Sequence, residues 1–444
     1  MDKFPFICIL LLSICVLLVI ITTIRSVEAT DTIYIRVDGK IEGTNMIHRN
    51  ENVYTFTGNI NDSIVVERDN IVVDGSGYGL LGTGIGTGIN LTGRTNVIIK
   101  NIEISGFFYG IYLKFSLNNT LSSNHIRNNF HGIYLSGSAN NIITGNNITN
   151  NDSSGIWFRY SSNNNINENR IIENSQDGIW LSSSSDNNNI FGNMIRNNGY
   201  GIRLDDYSNN MLRNNKINDN ECNFGVFGSL LPEFIQDIDD SNTVNGKPIY
   251  YWVNQHDKIV PSDAGYVALV NCSGITIKNL NLNNNGQGLL LAYTTNSSII
   301  QNNITNNIHG IYLSGSSNNT ITGNNIIENS ANGIYLYYSP NNIFFYNNLI
   351  INTNQVYTVG APINVWDNDF EGNYWSDYEN RYPNATQLDN SGIWDTPYII
   401  DWNNRDNYPL IPEFPSWIIL PLFVIATLVV LIYRKRITKE RIVH

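Results

Sequence analysis

A glycine followed by apolar, any and apolar residues recurs at Gly88, Gly110, Gly132, Gly155, Gly178 and Gly201, and again at Gly288, Gly310 and Gly333, in steps of 22 or 23 residues within each run. A fixed period in the twenties is the mark of a solenoid in which each repeat packs only on its neighbours. Downstream of each glycine an Asn precedes an aliphatic residue twice over, as with Asn119 and Leu121, then Asn124 and Ile126. Each period therefore holds three short apolar segments punctuated by Asn, Gly and Ser. None sustains the ten or more residues of 3.6 periodicity that a helical repeat needs. The pattern predicts an all-β chain: a single-stranded right-handed parallel β-helix, a solenoid of about ten coils of roughly 22–24 residues.

Successive strand residues face opposite ways. In Gly132-Ile133-Tyr134-Leu135 the glycine is read as the turn, Ile133 and Leu135 as filling the coil, and Tyr134 as pointing out. Tyr112, Tyr134, Trp157, Trp180 and Arg203 then form an outward column, with Tyr312 and Tyr335 in the second run. Asn124, Asn147, Asn169, Asn193, Asn215, Asn303, Asn325 and Asn348 are expected at the bends, where aligned amides can hydrogen-bond along the stack.

The ends read as membrane signals. Lys3 and the apolar run to Ile24, followed by Val27-Glu28-Ala29, predict a signal peptide over 1–29. Trp417–Tyr433 is an apolar run closed by Arg434-Lys435-Arg436, which predicts a transmembrane helix over 413–433, a cytoplasmic basic tail over 434–444, and the rest of the chain outside the cell membrane. Pro412-Glu413-Phe414-Pro415 looks like the Pro-Glu-Phe sorting signal of archaeal surface proteins. Between these ends the expected order is an N-terminal cap over 30–66, a first β-helix run over 67–227, an insertion over 228–264, a second run over 265–350 and a C-terminal cap over 351–412. Ten Asn-x-Ser/Thr sequons, Asn151 among them, fit an exported glycoprotein. Cys222 and Cys272 flank the insertion and are candidates for a disulfide closing it, with two buried thiols as the alternative.

A net charge of -12 without a basic stripe excludes nucleic acid as a partner, since that affinity comes from Lys and Arg on phosphates. From about Ile64 to Asp406 the chain resembles the NosD-like group of archaeal and bacterial parallel β-helix surface proteins. These share the pectin-lyase fold and carry repeats of the carbohydrate-binding and sugar-hydrolase class. The matching residues are Asn70–Gly75, the Gly-Ile-Tyr-Leu coils, Asn245–Trp252, Asn373–Tyr378 and Asp395–Tyr398. The resemblance implies the fold far more than an activity.

Three functions are weighed. The first is binding or adhesion to a surface polysaccharide through the rings of Tyr112, Tyr134, Trp157, Trp180, Tyr312 and Tyr335, with Arg159, Arg203 and Asp205 for hydroxyls. A purely structural role for those aromatics carries equal weight. The second is a polysaccharide lyase or glycoside hydrolase. Asp177, Asp205 and Asp206 fall on adjacent coils and offer the paired carboxyls that glycosidic cleavage needs, although the Gly-His-Gly and Asn-Thr-Asp signatures of polygalacturonases are absent. The third, a copper role implied by the NosD resemblance, is disfavoured because its His and Met residues are scattered. Calcium has one candidate loop, Asp389, Ser391 and Asp395. No other cofactor is expected.

Overall fold

The computed structural model describes residues 32–206, 209–360, 362–389 and 391–411. The expected signal peptide, sorting motif, membrane helix and basic tail lie outside them. Among the described residues no helix is long and apolar enough to cross a membrane. The chain divides into two compact units between Gly246 and Lys247, and each is a parallel β-solenoid.

A coil of the first unit has three walls. Tyr109–Lys114 lies on the first, Thr120–Ser122 on the second and His125–Arg127 on the third, before His131–Ser136 returns to the first one level on. Registers are strict: Ile111 pairs Ile133, Leu121 pairs Ile143, and Ile126 pairs Ile148. The two short walls bury only their central residue, so one aliphatic per strand stacks on its equivalents. The first wall buries two, and Ile111, Ile133, Ile156, Ile179 and Ile202 form one fully buried column. The second unit repeats the plan from Lys247–Val253 to Asn354–Val359.

The first wall has nine parallel strands in the first unit and six in the second, giving about 15 turns in place of about ten. The additional turns lack the Gly-Ile-x-Leu pattern. Ile33–Ile35 already pairs in parallel with Ile64–Val66, so only the antiparallel strands around Ile41–Asn50 form the N-terminal cap. The expected insertion is also part of the solenoid. Asp237–Ile238 pairs with the strand at Met211, Thr243–Val244 with that at Lys216, and Ile249–Val253 with Tyr266–Val270. Only a loop with a short 3-10 turn at Leu231–Phe234 stands apart, anchored by buried Phe234.

Each bend is an Asn doublet or its equivalent. The first residue takes a left-handed backbone, as at Asn118, Asn140 and Asn163, and the second turns inward. Asn141 shows the bonding: its amide donates to Asn164 Oδ1 (3.0 Å) and to the Ser116 carbonyl (3.2 Å), while its Oδ1 accepts the Asn119 backbone N–H (2.9 Å). Three such ladders climb the first unit, led by Asn119, Asn124 and Asn129, and all are buried. Inside the ladders the amides are satisfied, which a stack of tight bends requires, and an unpaired group appears at an end, as at Asn223 Nδ2. Asn124, Asn169, Asn193 and Asn215 are ladder residues as expected. In the other cases the ladder residue is one earlier: Asn146, Asn302, Asn324 and Asn347, with Asn147, Asn303, Asn325 and Asn348 opening the next strand.

The repeat glycine does not turn the chain. A Cβ on Gly132 would stand 2.5 Å from the Gly155 carbonyl oxygen and 2.9 Å from Ile148 Cγ2, so it is the close approach of the next coil that demands glycine. The C-terminal cap covers the second unit with Trp366, Trp375, Tyr378 and Tyr398, all buried. Asp406, buried beneath it, accepts from Trp375 Nε1 (2.8 Å) and the Asn373 N–H (2.7 Å).

Candidate functional site

Three rows of side chains stand outward on the first wall of the first unit. The middle row is the expected column. Tyr112 and Tyr134 stack at 5.4 Å, Tyr134 and Trp157 at 4.5 Å, and Trp157 and Trp180 at 5.0 Å with planes 4° apart. Arg203 closes the stack, its guanidinium 5.2 Å from the Trp180 ring. Strand pairing causes this: residues in register repeat at strand spacing, which is the spacing at which flat rings stack. The ring faces inside the column are therefore covered by one another, and the wall presents their edges. Arg159 lies over Tyr160 at 5.2 Å, beside the column. In the second unit Tyr312 and Tyr335 stack at 4.7 Å, and Tyr357 extends that column at 5.5 Å.

The row preceding each repeat glycine was not read as a row from the sequence, although Asp177 within it was singled out. It holds Tyr109, His131, Ser154, Asp177 and Tyr200, and Cys222, before Asn223, continues it in register. The signal was there: this position changes from coil to coil while the glycine stays fixed. His131 is buried among Tyr109, Phe130 and Trp157, and its Nδ1 has no hydrogen-bond partner. Burial pushes its pKa down to about 4.

Charge gathers where the aromatic column stops. Asp205 accepts from Trp180 Nε1 (2.8 Å) and pairs with Arg203 Nε (2.9 Å). Asp177, one coil earlier, accepts from the Ser154 hydroxyl (3.3 Å). Burial is the main cause lifting its pKa to about 6, with Asp205 adding to the rise and Arg203 opposing it. Tyr200, the strand partner of Asp177, has its hydroxyl pKa raised by burial. Asp206 departs from the expected trio: it sits past the strand end in a left-handed turn and is exposed, and burial, Glu233 and Asp205 raise its pKa. The patch thus combines a buried carboxyl that ionises near neutrality, an ion pair held by an indole, and a phenol. Such groups can hydrogen-bond sugar hydroxyls, and Asp177 could exchange a proton.

Cys222 and Cys272 are both free thiols, in place of the expected disulfide. Cys222 faces Tyr200 on the outer wall, and burial raises its pKa to about 11. Cys272 points into the core of the second unit, where its sulfur lies 3.3 Å from both the Trp252 and the Val270 carbonyl oxygens, which share its one S–H. In the calcium candidate, Asp389 accepts the Ser391 N–H (2.7 Å), and Asp395 accepts the Thr386 and Thr396 hydroxyls (2.6 and 2.9 Å). Their oxygens serve the loop itself, and among the described residues no three His, Cys, Asp or Glu side chains gather as a metal site.

Residues 87–230 match the family model described as right handed beta helix region, and residues 238–380 match that described as periplasmic copper-binding protein (NosD). No curated protein matches the chain. Among solved structures, the mannuronan C-5 epimerase A-module of Azotobacter vinelandii is 14% identical, with 70% of this chain and 87% of that one covered and a TM-score of 0.34. The catalytic domain of a GH87 alpha-1,3-glucanase in complex with nigerose is 13% identical over 73% of this chain and 63% of that one, with a TM-score of 0.36. The Dettilon tailspike protein is 17% identical over 74% and 60%, with a TM-score of 0.32.

The copper in the second description can be tested against the donors present. Residues 238–380 contain Cys272, His256 and His309 and no methionine. Cys272 faces the core, while His256 is exposed and bonded to the Ser273 hydroxyl (2.8 Å). His309 is packed against Tyr312 and Tyr335 and bonded to Asn332 (3.0 Å). Copper takes clustered thiolate, thioether or imidazole ligands. These three do not converge, and the residues do not fit a copper centre. By its walls, its ladders and the two matches, the chain is a right-handed parallel β-helix protein, and its residues 238–380 are similar to the domain described as NosD.

Proposed function

We propose that this is a cell-surface or periplasmic glycan-binding protein whose polysaccharide lies across the outer wall of the first unit and is gripped where the aromatic column stops. The observation that carries this reading is the patch of Asp177, Tyr200, Arg203 and Asp205 at the end of the stack Tyr112–Trp180. Stacked rings expose an apolar floor of edges, and the patch supplies fixed donors and acceptors for hydroxyls. Anchoring in a membrane through the C-terminal apolar run belongs to the same proposal. The test is retention on a polysaccharide panel that includes alginate, polygalacturonate and xylan. Asp205→Asn, which removes the charge that holds Arg203 and one of the two acceptor oxygens shared with Trp180, is expected to lower retention at least about tenfold. Retention unchanged by Asp205→Asn would refute this placement of the site.

A second reading, cleavage of the polysaccharide, is favoured by one observation. Asp177 has a pKa near 6 beside the Arg203–Asp205 pair, so near neutrality it is shared between acid and base forms. Release of reducing ends or unsaturated uronates, abolished by Asp177→Asn, would establish it. Binding without product release would leave the binding reading alone.

A further inference from the structure

Two stretches of the tail, Asn373–Tyr378 and Asp395–Tyr398, take no part in the outer-wall patch. In the second unit they bring Asp377 and Tyr398 against the last strand of the first wall, Asn354–Val359. Together with Asn354, Gln355 and Arg381 they line a polar cavity of about 250 Å³. The size admits one sugar ring and no oligosaccharide.

The cavity sits where an amide ladder ends. Gln355 takes the last rung, accepting from Asn352 (2.9 Å), and its own amide donates to the Ser376 hydroxyl (2.9 Å) and to Asp377 (3.4 Å). Asp377 is committed to the protein, since the Tyr398 hydroxyl contacts both of its oxygens at 3.1 and 3.0 Å. Arg381 is less committed. Its guanidinium lies on the Tyr398 ring at 4.4 Å, Nη2 donates to the Ile399 carbonyl (2.9 Å), and Nη1 stops 3.9 Å from Asp377, past hydrogen-bond distance. Held by the Ile399 carbonyl and by Tyr398, whose ring backs it, the guanidinium still keeps donors for a planar anion, and a carboxylate matches that fork. Beside it, Asn354 spends its amide hydrogens on the Ala331 carbonyl (3.2 Å) and Asn332 Oδ1 (3.0 Å), so its own oxygen is the group to accept from a hydroxyl.

We infer that this cavity binds a single uronate ring, the sugar carboxylate on Arg381 and a ring hydroxyl on Asn354. The site is separate from the outer-wall patch of the first unit and does not depend on it. An amide-lined cavity suits a ring of hydroxyls better than the side chain that a peptide terminus would bring. The test uses the full chain with D-galacturonate and D-glucuronate as probes, followed by saturation-transfer NMR and calorimetry.

Binding of at least one uronate is expected, weakened about tenfold or more by Arg381→Gln and less by Arg381→Lys, which keeps the charge without the fork. D-galactose and D-glucose, which lack the carboxylate, and acetate, which lacks the ring, are each expected to bind at least about tenfold more weakly. Lys278→Gln, an exposed cation of the second unit that does not line the cavity, is expected to leave uronate binding unchanged; failure here is read from binding of the single ring and failure of the outer-wall proposal from polysaccharide retention, so the two are distinguishable. Absence of uronate binding, indifference to Arg381→Gln, or equal binding of acetate or the neutral sugars would overturn the inference.

Discussion

In the first unit the column Tyr112, Tyr134, Trp157 and Trp180 runs into Arg203, which covers its last ring and ties it to Asp205. In the second, Tyr312 and Tyr335 lead to Tyr357, which stacks on Tyr335 on one side and stays 50% exposed. The stacking rule is the same in both, and only the ends differ. A repeat that satisfies its own rings and amides has little left to offer a ligand. What it leaves open is found where the repeat ends: the charged patch of the first unit and the cavity beside Arg381 in the second.

The scaffold common to both units should give the largest effects. Asn146→Ala and Asn324→Ala each break a buried ladder and leave amide partners unpaired, at a cost of about 3 kcal/mol. Their neighbours Asn147→Ala and Asn325→Ala should cost less than about 1 kcal/mol. Chemical denaturation of the four variants checks this, and equal costs within each pair would remove the ladder assignment.

A similar magnitude is expected from pH at one buried residue of each unit. The folded state raises the pKa of Asp177 to about 6 from 3.8, so it holds a proton that the unfolded chain has already released. Stability from this residue is full below about pH 4 and falls by about 3 kcal/mol as pH rises through 6. His309 in the second unit works in the opposite sense. Its pKa is lowered to about 4 from 6.5, so its stability is full above pH 6.5 and is lost as pH falls toward 4. Melting temperatures of Asp177→Asn should therefore exceed those of the wild type by a margin that grows with pH from 4 to 7. Those of His309→Gln should lose less than the wild type on acidification. A constant offset for either variant would contradict the assignment.

The smallest contrast concerns the rings. Trp157 has a ring on each face and Tyr357 a single stacked neighbour, so Trp157→Ala is expected to cost about 2 kcal/mol and Tyr357→Ala about 0.5 kcal/mol. Thermal melts of the two variants would sharpen the distinction between interior and terminal rings.

The interior was legible because burial repeats: Ile133 and Leu135 recur at every coil, and period-2 alternation assigns their direction. The bends were legible only to within one residue. In a doublet such as Asn146–Asn147 composition is blind to which amide turns inward; the left-handed residue before it decides, and at Gly145 or Glu168 that residue is not Asn. Glycine was assigned to the wrong cause, since crowding by the next coil and a turn leave the same letter in the sequence. Coils at Ile33–Ile35 and Asp237–Val253 were missed because they bury apolar residues without the glycine. Of the site, Asp177, Arg203 and Asp205 could be reached by counting coils. The cavity could not, since Asn354, Asp377, Arg381 and Tyr398 come from three segments that share no period.

The central claim is that the ligand is gripped at the end of the column and not by its stacked faces. The most direct measurement is the affinity of the full chain for whichever polysaccharide it retains, compared between Arg203→Gln and Tyr112→Ala. The account predicts a loss of about tenfold or more for Arg203→Gln and less than about twofold for Tyr112→Ala. An equal loss in the two variants, or full affinity in Arg203→Gln, would contradict it.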